Sequence, residues 1–461
     1  MYGEALCTVF LLSLAGAAKI LGVFMTTSHS HQIVFQPIWR ELSLRGHQVT
    51  VYTPNPLNDP SLTNLTEIDL GFSNNVWKEK YLDSMMDATN SRRADYQKIS
   101  EAFSSLFESQ MSSPPMQDLI WNRNNETYDL FLVEFFYPGM YGFKDVYKCP
   151  MVGILSVPMT IAGASSIGMD KHPVLDPELL LAFATDLTFK ERVISTVYNL
   201  LYKATMALSA EPKFNALARK YFGENSREPY KIAKEVSVVL GNSNFVTQNI
   251  KPVVPAFVDI SGIHLQPEKP LPKDLKDLLD NAKEGVIYFS LGTNVKPYHM
   301  PKQKLQQFLD AFAELPYKVL WKAEGDIVHN RSNIVTRKWF PQQDILRHPN
   351  VRLFITQGGL QSIDESLQGK TPMLMIPFYA DQFFNARKMI DNGVALSIDY
   401  EQFTKEELVD KIKKLTQDQK YKKAVTEMST IAVDQPPTAS RESRLVDRIR
   451  TETQRSCASE I

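Results

Sequence analysis

Cysteine is nearly absent: Cys7, Cys149 and Cys457 are the only three in 461 residues, with no close Cys/His pair. That excludes a disulfide-stapled scaffold and a Cys/His zinc site. A surplus of one charge is missing as well, because 51 Lys and Arg stand against 52 Asp and Glu. No basic face for nucleic acid follows from that balance. Neither GxGxxG nor GxxxxGK[ST] occurs, which disfavours a simple dinucleotide or P-loop site. Repeats and low-complexity segments are missing too.

Long apolar runs are few. Met151–Met169 carries no charge, but Pro158, glycines and hydroxyl side chains interrupt it. It reads as a strand, Met151–Ser156, and a loop rather than a membrane span. Met1–Ala18 is apolar and ends in Ala15-Gly16-Ala17-Ala18, which suits signal-peptidase cleavage after Ala18, although its start holds Glu4 and no Lys or Arg. Sequons at Asn64, Asn125 and Asn330 fit a secretory chain.

What is present is 43% hydrophobic and long enough for two large α/β domains. Short apolar runs at Lys19–Met25, Gln48–Thr53, Tyr128–Phe136, Met151–Ser156, Val236–Leu240 and Phe257–Ile260 predict strands in a first domain, residues 19–265. Thr26–Gln32 reads as a polar turn ahead of a helix over Ile33–Leu44, which Arg45-Gly46-His47 ends. Ser61–Gln117 reads as polar, then helical. Leu179–Leu208 is an amphipathic helix. Core packing is its ordinary reading, with an acceptor-pocket wall or a membrane-resting face as the alternative. A Pro-rich join, 266–285, precedes a second domain, 286–436, of strictly alternating strands and helices. Residues 437–461 form a polar, Arg-rich tail. Two such halves imply a cleft between them.

Trp339–Gln382 (WFPQQDILRHPNVRLFITQGGLQSIDESLQGKTPMLMIPFYADQ) concentrates polar residues where strands should end, the binding edge of an open parallel sheet. Gly turns follow strands at Ser290-Leu291-Gly292-Thr293 and Gln357-Gly358-Gly359. At a helix start such a turn suits a phosphate, though alone it is common. Trp339 can stack on a planar base and Gln342 can hydrogen-bond it, or the Trp can be merely structural. Glu365 suits vicinal hydroxyls of a ribose, and Asp381-Gln382 a polyhydroxylated group. Together these describe a nucleotide-sugar. In the first domain, His31 or His29 is a candidate general base, and Glu134 a plausible orienter. Residue types alone leave the two histidines undecided.

The stretch resembles the signature of the UDP-glycosyltransferases, above all their insect members. The resemblance rests on Trp339-Phe340-Pro341-Gln342, His348-Pro349, Phe354 to Gly359, Pro372, Pro377 and Asp381-Gln382. Ser30-His31, Arg45-Gly46-His47 and Phe289 to Thr293 add to it. It implies an α/β chain of GT-B fold, two Rossmann-like domains facing across a cleft. The second domain would hold a UDP-sugar, glucose from the insect-like resemblance, and the first a small lipophilic acceptor such as a phenol, flavonoid or steroid. Trp339 and Gln342 would take the uracil, and Glu365 the ribose. Ser290, Thr293, Gly358, Gly359, Gln361 and Ser362 would lie along the diphosphate, and Asp381 and Gln382 on the sugar. His31, oriented by Glu134, would be the base of an inverting, metal-free transfer without cofactor. Residence in the endoplasmic reticulum lumen or secretion, a detoxifying role, peripheral membrane contact and pairing with related transferases are further implications.

Three departures qualify the resemblance. Gln357 stands where many members have His, and it can donate to a diphosphate but cannot become cationic. Glu134 stands where the orienter is usually Asp. After Asp434-Gln435-Pro436 the match stops, and the further helices, membrane span and basic tail of the family do not follow. An inactive, truncated partner of full-length relatives is therefore the alternative expectation.

Overall fold

The computed structural model of the chain describes residues 17–433, apart from 80–95, 123–124, 185, 296–299, 326 and 328–329. The expected leader, but for its last two residues, and the tail 437–461 lie outside the described residues.

Thirteen strands among the described residues form two sheets. The first contains β1 (Lys19–Val23), β2 (Gln48–Thr53), β3 (Leu65–Asp69), β4 (Leu130–Glu134), β5 (Met151–Leu155), β6 (Val236–Gly241) and β7 (Phe257–Asp259). Their order is β3-β2-β1-β4-β5-β6-β7. The second contains β8 (Val286–Ser290), β9 (Lys318–Lys322), β10 (Ile334–Arg337), β11 (Val351–Thr356), β12 (Met373–Met375) and β13 (Ala395–Ser397), in the order β10-β9-β8-β11-β12-β13. Every pairing is parallel. Parallel sheets are covered on both faces, so their central strands read as continuous apolar runs. β4, β5 and β8 are buried at every position. Successive side chains feed opposite layers: Leu21 and Val23 enter one core and Ile20 the other, and Phe289 and Tyr288 divide in the same way.

The structure corrects three expectations. β3 lies within a segment read as polar, because it is an edge strand with no fully buried residue. Helix α1 runs His29–Leu44 from Ser28, so most of the expected polar turn is the first helical turn. Its polar residues are internally bonded. Gln32 Nε2 donates to Thr26 O over 2.6 Å, and Gln32 Oε1 accepts from Thr53 Oγ1 over 2.8 Å. The expected helix 179–208 is broken. A short turn, Leu179–Leu181, precedes helix α2 (Phe189–Thr205), which starts at a capping box of Thr188 and Glu191. α2 continues through a wide turn, Met206–Ala210, into α3 (Glu211–Phe222). The only buried residues of α2 are Ser195 and Asn199, so core packing is not what its apolar face does.

Candidate active site at the two strand-end crevices

Each sheet reverses its strand order once near its middle, between β1 and β4 and between β8 and β11. Loops leaving such neighbours diverge and open a crevice at the carboxyl ends. The second sheet's crevice is a cavity of about 610 Å³ that reaches the first domain. Helix α4 (Gln342–Arg347) follows β10, and helix α5 (Leu360–Gln368) follows the Gly-Gly turn with Gly359 as its N-cap. Of the sequence-predicted donor residues, Ser290, Thr293, Trp339, Gln342, Gln357, Gly359, Gln361, Ser362 and Glu365 line this cavity.

Trp339 is 58% exposed, its ring edge-on to His29 at 5.5 Å, and the Lys322 ammonium sits 4.8 Å from its centroid. An exposed indole at a cavity wall is free to take a stacked base. Tyr288 Oη donates to Gln342 Oε1 over 3.1 Å, which aims the Gln342 amide at Ser362 Oγ (3.1 Å) and at Glu365. Gln343 Nε2 donates to the other Glu365 oxygen over 3.0 Å. Glu365 is 7% exposed, and burial pushes its pKa up to about 7 against those two amide donors.

The turns at this cavity depend on two glycines. Gly292 has φ +75°, and a Cβ there would meet Gln357 Nε2 at 2.4 Å. Gly358 has φ +89°, and its Cβ would meet Met375 Cε at 2.8 Å. Both are backbone states that only glycine adopts freely. Gln357 Oε1 is buried with no hydrogen-bond partner among the described residues. Lys322 Nζ reaches Gly292 O at 2.7 Å and places a cation in the same wall.

Asp381 and Gln382 do not line this cavity. They begin helix α6 (Gln382–Asp391) beside the Gly-Gly turn. Gln382 Oε1 accepts from Phe378 N (2.8 Å) and Tyr379 N (3.2 Å), and Asp381 accepts from Asn385 Nδ2 (2.8 Å), which also donates to Gly358 O (2.9 Å). Burial raises the Asp381 pKa.

On the first sheet, Glu134 ends β4 at its crevice and is 2% exposed. Its carboxylate accepts from Met25 N (3.0 Å), Thr26 N (2.9 Å) and Thr26 Oγ1. Burial nevertheless holds its pKa up at about 7. It lies 4.0 Å from His31 Nδ1, beyond hydrogen-bond reach. The neighbour of that nitrogen is Ser156 Oγ, 2.6 Å away. The expected Glu134 contact is thus replaced by one from the loop after β5. Burial pushes the His31 pKa down, so the imidazole is neutral at neutral pH. His29, two residues earlier on α1, projects from another side of the helix. Its Nδ1 lies 3.1 Å from Asn55 Nδ2, and it lines the second sheet's cavity. One histidine therefore faces each crevice.

A bridge joins the halves. Gln361 Nε2, on α5, donates to Ser156 O over 2.9 Å, and His264 Nε2 lies 3.2 Å from Gln361 O. Ser156, His264 and Lys322 carry no local motif. Lys322 does end an apolar strand, the one signal by which it could have been found.

The chain matches the family "UDP-glucoronosyl and UDP-glucosyl transferase" over residues 18–439. It belongs to that family. This UDP-glycosyltransferase is 30% identical over 433 residues to UDP-glucosyltransferase 2 of Dactylopius coccus, covering 92% of this chain and 82% of that protein. It is 30% identical over 458 residues to the ecdysteroid UDP-glucosyltransferase of Spodoptera littoralis nuclear polyhedrosis virus, with coverages of 93% and 87%. Among solved structures, the glycosyltransferase VinC in complex with dTDP matches with TM-score 0.60 and 15% identity, over 95% of this chain and 100% of that one. Spinosyn forosaminyltransferase SpnP matches with TM-score 0.60 and 14% identity. The fold is GT-B, two Rossmann-like domains. The donor substrate is a UDP-sugar, and the class needs no cofactor.

Proposed function

We propose that this enzyme transfers a hexosyl group, glucose being the sugar in its relatives' names, to a hydroxyl of a small lipophilic acceptor with inversion at the anomeric carbon. A relative named for ecdysteroids supports a steroid-like acceptor. The observation that carries the reading is the chain His31 Nδ1, Ser156 Oγ, Ser156 O and Gln361 Nε2. It ties a neutral imidazole on one domain to a residue lining the donor cavity on the other. With Nδ1–H donating to Ser156, the Nε2 lone pair is left to take the acceptor proton. The oxygen then attacks the anomeric carbon, and UDP departs toward α5 and its Gly-Gly turn. Tyr288, Gln342, Gln343 and Glu365 form a network suited to uridine. Lys322 supplies, at the diphosphate side, the positive charge that Gln357 cannot.

The test is an assay of the purified chain with radiolabelled UDP-glucose against a panel of phenols and ecdysteroid-like sterols, with the linkage read by NMR. The α-linked donor should give a β-linked product. An α-linked product would discard the single displacement, and no transfer to any hydroxyl acceptor would discard the reading.

A further inference from the structure

His29 and His31 share the first turn of α1, and their hydrogen bonds leave each a different nitrogen to work with. His29 Nδ1 lies 3.1 Å from Asn55 Nδ2. An amide nitrogen has only hydrogens to offer, so Nδ1 accepts and the neutral ring carries its proton on Nε2. Burial, and after it the charge of Lys322, lower the His29 pKa and keep the ring neutral. At His31 the arrangement is reversed, because Nδ1–H on Ser156 Oγ leaves a lone pair on Nε2. One ring is set to take a proton and the other to donate a hydrogen bond.

The surroundings of His29 indicate what it donates to. His29 lines the cavity and Asn55 does not, so Nδ1 is turned to the protein and Nε2 is left for a ligand. Asn55 is the one hydrogen-bond partner of this imidazole among the described residues. The preceding residue, Ser28, accepts from Asn294 Nδ2 over 3.4 Å, which brings the start of α1 against the turn after β8. That turn places Gly292 and Thr293 in the cavity wall, and Lys322 Nζ reaches Gly292 O at 2.7 Å. The Lys322 ammonium and the His29 ring also meet the same indole, Trp339, at 4.8 and 5.5 Å. An N–H donor from the first domain and a cation from the second thus converge on one end of the cavity. No acidic residue occupies the first turn of α1, whose N-terminal end favours an anion as well. We propose that His29 binds the donor, its Nε2–H hydrogen-bonding a phosphoryl oxygen of the UDP-sugar diphosphate and so drawing the first domain onto a ligand held by the second. This rests on the reading above that sets the diphosphate beside Lys322. A hydrogen bond to a charged oxygen is among the stronger kinds.

The experiment is calorimetric titration of the full chain with UDP and with uridine, alongside transfer kinetics with UDP-glucose and an acceptor that the wild type glucosylates. His29→Ala should weaken UDP about tenfold, the size of one hydrogen bond to a charged group, and leave uridine unchanged. His29→Gln keeps an N–H donor at similar reach and should recover most of the UDP affinity. His29→Phe keeps a ring against Trp339 without a donor and should bind UDP as weakly as His29→Ala. Equal losses for UDP and uridine, or full UDP affinity in His29→Phe, would show that the ring acts by packing on Trp339 and overturn the proposal. So would a His29→Ala variant that binds UDP normally but no longer transfers, because His29 would then be the base. A wild type that binds UDP regardless of the residue at position 29 defeats the proposal alone, whereas a wild type that binds no UDP defeats the reading of the cavity as well.

Discussion

The two crevices differ in what fills them. In the first domain, Glu134 ends β4 and its carboxylate is taken up by the loop after β1, at Met25 and Thr26. The domain occupies its own crevice, and His31 is held above it. In the second domain the equivalent neighbours, β8 and β11, lead into Gly292 and Gly358-Gly359, leaving a buried Gln357 oxygen without a partner among the described residues. That crevice stays open to a ligand. The same topology thus serves in one half to position a side chain and in the other to receive a molecule.

His31→Ala tests the contrast most strongly. Transfer should fall about a thousandfold, the range of a lost general base, while UDP affinity by calorimetry stays unchanged. Loss of UDP binding instead would dissolve the division between the halves. Next is Glu134→Ala, which orphans the Met25 and Thr26 N–H groups. It should cost about 3 kcal/mol in urea unfolding, and the crevice is not self-filled if stability is untouched.

The bridge between the halves should be acid-sensitive. His264 is 3% exposed, its Nδ1 has no partner among the described residues, and burial pushes its pKa down to about 4. The unfolded chain takes up a proton there below about 6.5 and the folded protein only near 4, so stability is full above 6.5 and declines toward 4. Between pH 7 and pH 5 the wild type should lose about 2 kcal/mol more than His264→Gln in urea titrations. Equal losses would show that the imidazole is not held neutral.

The smallest effects should separate stacking from base orientation. Trp339→Ala should raise the KM for UDP-glucose about fivefold at constant kcat, from a lost stack of about 1 kcal/mol. Ser156→Ala should lower kcat about tenfold at constant KM, and Ser156→Thr should restore it. The opposite split in either variant would move that residue to the other half of the mechanism.

That Trp339, Gln342, Gly359, Gln361 and Glu365 would gather in one place was legible because a parallel strand, its turn and the next helix are contiguous, so they reach one cavity from one stretch. Ser156 and His264 were not legible. Each sits in a loop with no signature and gains its role only from a partner 125 or 97 residues away in sequence. The edge strand β3 was missed because half-exposed LTEID lacks the apolar run of a covered strand. Helix α2 was seen as amphipathic, but periodicity states that a helix has two faces and not which one turns inward.

The residues alone determined the strand–helix alternation, the Pro-rich join and the polar strand-end pattern of Trp339–Gln382, because burial on both sheet faces and glycine-only turns leave marks in local composition. Only the tertiary structure decided that His31 faces Ser156 while His29 faces Trp339, that Glu134 is spent on its own backbone, and that α2 shows its apolar side to the outside. Those outcomes depend on which distant segments meet at 3 Å, where hydrogen bonding and desolvation act, and no local pattern encodes that meeting.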